Sequence, residues 1–307
     1  MTLTRGHLLR HFQGKKGGFH PAMLDVAQDH LLAYLHEQGL FDIGLVFKGG
    51  TSLRKMRSGA AGRFSTDLNF RAPADGLAGL VLDTADGATV GPFTFTLVDR
   101  DDAAGRADLS ITAPFGPGPA DTVPAAIGIL SKLELSPRAP WLAPQVLPFL
   151  PLAVHTSYDL PALPTLPVVR AEEAIAEKLA RYARVPLARD LYDLVWYGRQ
   201  GVLDEASIRR LWLLKVYNDV VIDGRWNHRT FDPAAIMTAR QAADIDEESI
   251  GYLTQPIDIL GWEAEFRHRY AFLADLDHDD RDWAKCHARH RYEYGQLIAS
   301  YGDSDSR

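Results

Sequence analysis

The segment spanning residues 48–70 reads KGGTSLRKMRSGAAGRFSTDLNF and combines residue types that suit phosphate and metal chemistry. Gly49 and Gly50 let the backbone approach a phosphate closely, and a helix that begins just after them points free N–H groups at the anion. Two positions apart on a strand, Asp67 and Asn69 direct their oxygens to one side. Because Mg²⁺ prefers a carboxylate or two together with substrate phosphate oxygens, the segment predicts a nucleotide site with a bound metal ion.

Each part of this segment also has a plainer explanation. A Gly-Gly turn before a helix is usually only a turn, and an Asp-x-Asn pair occurs on many exposed strands. Short motifs match by chance, so each of these is weak evidence alone. The ordered combination of turn, helix and metal-ligand strand is more specific than any of its parts.

In this order the motifs resemble those of nucleotidyltransferases of the DNA polymerase β type, and more closely the AbiEii/MenT toxins of abortive-infection-type toxin–antitoxin pairs. The matching stretches are GGTSL from Gly49, RFSTDLNF around Asp67, and EAIAEKLARYARVPLARDLYDL over residues 173–194. A weaker match is KLEL, which begins at Lys132. Together the stretches span roughly residues 40–200 in the expected order.

The resemblance implies an α+β fold, in which a polymerase β-like mixed sheet domain (1–160) is followed by a helical domain (161–307) that completes the active site. It also implies a toxin that uses Mg²⁺ or Mn²⁺ to transfer a nucleoside monophosphate from an NTP to an acceptor. The implied acceptor is the 3′ end of tRNA, whose modification blocks translation, and the implied partner is a cognate antitoxin. Transfer to a protein or to a small molecule stays open.

The resemblance also assigns roles to individual side chains. Catalytic roles fall on Asp67, Lys178 and Asp193, and metal ligands on Asp67, Asn69 and Glu134. The wider nucleotide-binding set comprises Gly49, Gly50, Thr51, Ser65, Arg181, Arg189 and Asp190. Lys178 is expected to be exposed in a cleft, where a compact ammonium suits the β- and γ-phosphates. The plainer alternatives are structural salt bridges for the downstream acids and an exposed pair of Glu134 with Lys132.

Asn69 departs from the family pattern, which usually has a second Asp at this position. A neutral amide oxygen is a weaker ligand for a hard cation. Three explanations compete: a variant with weakened metal binding, an inactive protein, or an Asp→Asn substitution made to disarm a toxin. The alternative function is therefore a catalytically impaired, nucleotide-binding regulatory protein.

Ser65 lies two residues before Asp67 and is a candidate regulatory position. In related toxins the antitoxin can act by phosphorylating a serine at this place. A phosphate there would repel an incoming triphosphate and compete with Asp67 for the metal ion. The plainer role for Ser65 is to cap the turn into the strand.

Composition places the chain among cytoplasmic proteins. It has 307 residues, which favours two domains or one large one, and its single cysteine, Cys286, suits a reducing compartment. No apolar run reaches the length of a membrane span. The net charge is −7, yet residues 1–71 carry ten Lys/Arg against five Asp/Glu, so the basic excess lies beside the phosphate motif.

Apolar periodicity predicts the elements that would position these residues. The sequence predicts a helix over residues 21–40 and strands over 43–47, 68–70, 93–98, 108–111 and 129–135. Residues 140–167 contain many prolines and are expected to be a connection. Helices are expected over 170–184, 187–199, 204–218, 232–241, 262–274 and about 280–300, the last with a basic face around Cys286.

Overall fold

The computed structural model describes residues 3–14, 17–113, 128–201 and 203–303, which form two compact units. The first unit comprises Met1–Ala139, Pro144–Val168 and Gly251–Pro256. The second unit comprises Pro140–Ala143, Val169–Ile250 and Ile257–Arg307. The ranges expected from the sequence, 1–160 and 161–307, are simpler, because they contain no segment that leaves one unit for the other.

The first unit is built on one mixed sheet, whose described strands run in the order β3-β4-β5-β6-β2-β1-β8-β7. The strands are β1 (Val46–Lys48), β2 (Asp67–Arg71), β3 (Thr89–Val90), β4 (Phe93–Asp101), β5 (Arg106–Thr112), β6 (Ile129–Ser136), β7 (Gln145–Pro148) and β8 (Thr165–Val168). At the centre of the sheet, β2 pairs parallel with β6 and antiparallel with β1. Parallel and antiparallel pairs therefore meet at the strand that carries the Asp-x-Asn motif.

Helices of the first unit cover one face of this sheet. They are α1 (Arg5–His11), α2 (Phe19–Glu37), α3 (Gly49–Leu53) and α4 (Leu77–Ala85), and α3 runs on into one wide helical turn, Arg54–Ser58. α2 packs against β3 and β6, and α4 packs against β4. Leu68, Phe70, Leu133 and Leu135 point to this face and are at most 1% exposed. Because strand side chains alternate, the residues between them are left on the opposite, polar face.

The second unit is helical. Its helices are α5 (Ala171–Arg184), α6 (Ala188–Gly198), α7 (Glu205–Tyr217), α8 (Ile259–Arg269), α9 (His278–Ala284) and α10 (Arg291–Asp303). Large aromatic side chains such as Trp212, Tyr217, Phe266 and Tyr270 are fully buried in its core. α5 packs against both α6 and α7. Of the predicted motif residues, Lys178 lies on α5 and Asp193 lies on α6.

Several predicted elements are wrong in detail. The proline-rich stretch 140–167 contributes β7 and most of β8, which pair with each other. β7 is an edge strand and therefore tolerates its Pro148, whereas β8 pairs with β1 on its other side. The helix expected over 232–241 is a single 3₁₀ turn, Pro233–Met237. The continuous helix expected around Cys286 is also wrong, because Cys286 has a φ of 49° between α9 and α10. Across the described residues, no helix is long and apolar enough to span a membrane.

Candidate active site

The Gly-Gly turn joins β1 to α3 and brings the backbone close to other parts of the site. Gly49 has a φ of 83°, which favours glycine. A Cβ added at Gly49 would lie 3.2 Å from both Cβ and Nδ2 of Asn69, and one at Gly50 would lie 2.4 Å from a guanidinium nitrogen of Arg63. Lys48, the residue that caps α3, makes no side-chain cap hydrogen bond. The glycines therefore permit a close approach to the turn at which helical N–H groups lack a side-chain cap.

The predicted metal ligands share the polar face of the sheet. Asp67 and Asn69 are two residues apart on β2, and the parallel register pairs Asn69 with Glu134 of β6. The Thr66 hydroxyl donates to Oδ1 of Asp67 at 3.0 Å. Glu134 is exposed, and within the part of the chain that the structure describes it forms no ion pair with Lys132. The carboxylates and the amide are thus neighbours whose oxygens are largely uncommitted.

This donor set fits a hard cation, although it is one carboxylate short. Mg²⁺ and Mn²⁺ take oxygen ligands, and Asp67, Asn69 and Glu134 supply oxygens only. Among the described residues, no three His, Cys, Asp or Glu side chains gather at metal-binding spacing. In this set, an amide occupies position 69, where a third carboxylate would otherwise stand.

The two hydroxyl residues of the motif have different environments. Thr51 is fully buried, and its hydroxyl donates to the backbone carbonyl of Asp67 at 2.5 Å, which ties α3 to β2. Ser65 is half-buried, and its Oγ lies 3.3 Å from the place that a Cβ at Gly50 would occupy. The Ser65 hydroxyl therefore borders the Gly-Gly turn, whereas the Thr51 hydroxyl is occupied inside the protein.

Two residues of this region were missed from the sequence. The guanidinium of Arg63 lies against Gly50, and Gln28 of α2 donates from Nε2 to the backbone carbonyl of Ser65 at 3.1 Å. Arg63 could have been found, because it opens the RFSTD run two residues before Ser65. Gln28 had no such signal, because it lies on a distant helix.

In the second unit, the motif residues form two linked ion pairs between α5 and α6. Lys178 binds Oδ2 of Asp193 at 2.6 Å and lies 3.8 Å from Oδ1 of Asp190. Arg181 binds both carboxylate oxygens of Asp190 through its fork. Burial opposes the charge of Arg181, yet Asp190 outweighs it and raises the guanidinium pKa above its ordinary value. Arg189 is half-buried at the start of α6.

The expectation of an exposed cleft lysine is wrong for Lys178. Lys178 is 5% exposed, and Asp193 is 1% exposed. A buried ammonium needs a partner charge, which Asp193 supplies from the next helix. The charges of Lys178 and Asp193 therefore depend on each other inside the second unit, whatever Lys178 does in a reaction.

Comparisons with known proteins identify the family of the chain. The family model described as nucleotidyl transferase AbiEii toxin, type IV toxin–antitoxin system, matches residues 30–289. The chain belongs to this family. It is accordingly a nucleotidyltransferase toxin, and the predicted family and enzyme class are confirmed.

Solved structures extend the comparison. MenT4, a nucleotidyltransferase toxin from Mycobacterium tuberculosis H37Rv, is 44% identical, with 97% of this chain and 99% of that chain covered and a TM-score of 0.85. The protein JHP933 from Helicobacter pylori is 15% identical, over 83% of this chain and 92% of that one, with a TM-score of 0.42. A search of curated proteins found no match. The likeness to MenT4 confirms the predicted α+β fold with a helical C-terminal region.

Proposed function

We propose that this toxin transfers a nucleoside monophosphate from an NTP to the 3′ end of tRNA, with the release of pyrophosphate and a block of translation. The observation that carries the proposal is the polar face where Asp67, Asn69 and Glu134 lie together beside the Gly49–Gly50 turn. A triphosphate needs both features, because one offers N–H donors to the phosphates and the other offers oxygens to a cation.

The divalent ion in this proposal is Mg²⁺ or Mn²⁺, held by Asp67, Asn69 and Glu134. When bound, it would neutralise charge on the phosphates and favour the attacking hydroxyl. The chain's own groups would orient the substrate: the α3 N–H groups and Arg63 bind the phosphate chain. A planar guanidinium suits phosphate oxygens because it donates two parallel hydrogen bonds.

We also propose catalytic roles for Lys178 and Asp193, which rest on the family motif. Their ion pair holds the ammonium in one geometry within the second unit. A preoriented charge stabilises a transition state better than one that must reorganise, which supports an electrostatic role for Lys178.

The test uses each of the four NTPs, labelled at the α-phosphate, with total tRNA and either Mg²⁺, Mn²⁺ or a chelator. Label is expected in tRNA with a divalent ion and not with the chelator. Periodate-treated tRNA, which lacks the terminal 2′,3′-diol, should accept no label. Label in protein or in a small molecule instead would refute the tRNA acceptor while leaving nucleotidyl transfer intact.

Position 69 separates the active enzyme from the regulatory alternative. Asn69→Asp is expected to increase transfer by about tenfold or more, because removing or restoring one transition-state electrostatic contact changes rates on the order of 10²–10³-fold. The matched control, Asn227→Asp, adds the same charge at an exposed turn and should change nothing. If neither the parent chain nor Asn69→Asp transfers to any acceptor, the nucleotide-binding regulator becomes the better explanation.

A further inference from the structure

A polar stripe on α2 is buried under the candidate site. We define the α2 stripe as Asp25, Gln28 and Asp29, which share one helical face and are at most 2% exposed. Arg54 binds both carboxylate oxygens of Asp25, with Nε at 2.9 Å and a terminal nitrogen at 3.0 Å. Lys55 Nζ lies 2.7 Å from Oδ1 of Asp25 and 2.7 Å from Oδ1 of Asp29. Asp25 and Asp29 of the α2 stripe therefore bind two consecutive residues, Arg54 and Lys55, of the wide turn that follows α3.

The charges in this cluster balance. Burial disfavours an ionised Asp25, but the charges of Arg54 and Lys55 and a hydrogen bond from His11 outweigh it and hold the carboxyl pKa well below its usual range. Asp29 balances the second positive charge. Because these charges are buried and paired, a large change in the geometry of the cluster would be costly.

Arg54 also fixes the connection that leads from α3 to β2. Its remaining terminal nitrogen donates to the carbonyls of Gly59 at 3.1 Å and Gly62 at 2.7 Å. The guanidinium carbon lies 3.7 Å from the centre of the Phe64 ring, within the range of a cation–π contact. One side chain thus holds both the helix after the Gly-Gly turn and the residues just before Ser65.

Gln28 completes the link at the other end of this connection. Its Nε2 donates to the carbonyl of Ser65, and its Oε1 has no hydrogen-bond partner among the described residues. The Thr51 hydroxyl in turn fixes the carbonyl of Asp67. The backbone carbonyls on both sides of Thr66 are therefore fixed by side chains of α2 and α3. These bonds do not use the side chains of Ser65 and Asp67, which can still contact a substrate or a metal ion.

We propose that the α2 stripe is the positioning device of the nucleotide site: it holds Arg54, Lys55 and the Ser65 carbonyl so that the Gly-Gly turn and Asp67 meet the triphosphate in one geometry. None of the three stripe residues touches the substrate in this proposal. The inference rests on the proposed nucleotidyl transfer and adds to it a second layer of residues that no catalytic motif contains. A wide helical turn next to a functional site is a common arrangement, which supports it.

The sharpest test is Gln28→Met, which keeps the length of the side chain and removes the donor to Ser65 together with the unpartnered Oε1. Because a misplacement of about 1 Å costs on the order of 10²-fold in rate, kcat should fall about tenfold or more while the Kd for NTP changes by less than about twofold. The melting temperature should stay within about 4 °C of the parent value. The variant loses one partly buried hydrogen bond, but it also loses the buried Oε1 of Gln28, which has no partner. The matched control is Tyr217→Phe, which removes another partly buried hydrogen bond to a backbone carbonyl and should keep its kcat.

Arg54→Lys is the second variant, because it keeps the charge that balances Asp25 while losing the fork and the bonds to Gly59 and Gly62. It should also lower kcat more than it changes the Kd for NTP. A wild-type kcat in both variants would overturn the positioning role, and so would a loss of kcat no larger than the unfolded fraction.

A measurement without turnover separates this inference from the proposed function. The ³¹P resonances of NTP bound with Mg²⁺ should shift in Gln28→Met and stay unchanged in Tyr217→Phe. If the parent chain binds NTP but transfers to no acceptor, the proposed function fails and these shifts decide the positioning role alone. Unchanged shifts would refute it, and a chain that binds no NTP would refute both.

Discussion

The ion pair between Lys178 and Asp193 allows stability and catalysis to be separated. Lys178→Met removes the ammonium but keeps an unbranched side chain of similar length. The carboxylate of Asp193 would then be left without its 2.6 Å partner at a position that is 1% exposed. Because a buried charge is costly once its closest partner is removed, we expect this single substitution to destabilise the second unit.

The loss of stability in Lys178→Met can be estimated from the contacts of the ion pair. Removing one partner of a buried ion pair costs about 3–5 kcal/mol. Arg181 is close enough to Asp193 to contribute to the electrostatics of the pair, so the lower value, about 3 kcal/mol, is the better expectation. At about 2–4 °C for each kcal/mol in a unit of this size, the melting temperature should fall by about 6–12 °C.

The double variant Lys178→Met/Asp193→Leu isolates the catalytic role. Replacing a whole buried ion pair with apolar side chains is often neutral or stabilising, so most of the lost melting temperature should return. Transfer should not return, because the proposed electrostatic contact is absent from both variants; the expected loss is on the order of 10²–10³-fold. Differential scanning calorimetry and the labelled-NTP assay on the same preparations give both quantities.

Two outcomes would refute this reasoning in different ways. A Lys178→Met variant that melts with the parent chain would show that the pair does not stabilise the unit. A double variant that transfers at close to the parental rate would show that Lys178 and Asp193 are structural, which is the plainer explanation of such a cluster.

Three further predictions address the first unit. Gly50→Ala should fold normally but weaken NTP binding, measured as a raised KM, because the new Cβ would lie 2.4 Å from the Arg63 guanidinium, a flexible group that can move away; an unchanged KM would contradict a phosphate contact by Arg63. Ser65→Glu should suppress transfer while Ser65→Ala preserves the fold, and mass spectrometry after co-expression with the antitoxin should find phosphate on Ser65; an unmodified serine in a neutralised toxin would exclude this switch. Burial lowers the pKa of His30 from 6.5 to about 4, although nearby Asp29 acts in the opposite direction. As the pH falls, the unfolded chain therefore takes up the proton before the folded chain does. About 3 kcal/mol of stability, fully present above pH 6.5, should be lost as the pH falls to about 4. Urea unfolding of the parent and of His30→Phe between pH 7 and pH 4 checks this, because the variant should lack that slope.

The polar face of the site could be predicted because strands alternate with a period of two. Once β2 was recognised, Asp67 and Asn69 had to share a face. In the KLEL run the same alternation puts Glu134 on the face opposite Leu133 and Leu135. The pairing of β2 with β6, which makes Asn69 and Glu134 neighbours, depends on contacts between distant parts of the chain. Only the resemblance to a known family could supply that from the sequence.

The burial of charged residues could not be predicted from local pattern. Lys178 and Arg181 are on one face of α5, which is typical of a solvated surface, but α6 covers that face with Asp190 and Asp193. On α2 the same spacing of polar residues occurs in a helix that is buried almost throughout. In both helices, oppositely charged residues on another element allow these charged side chains to be buried. The spacing of polar residues within one helix does not reveal such partners.

Position 69 brings fold and chemistry together. Asn69 lies opposite Lys48 in the β1–β2 register, and a Cβ at Gly49 would lie 3.2 Å from its side chain, so the space there is limited. Aspartate has nearly the same shape as asparagine, and it would fit without moving β1. The difference between the two residues is therefore one negative charge on the face where Asp67 and Glu134 lie. Because the two side chains have nearly the same shape and differ in their affinity for a hard cation, a change in metal affinity on Asn69→Asp reports on the site itself.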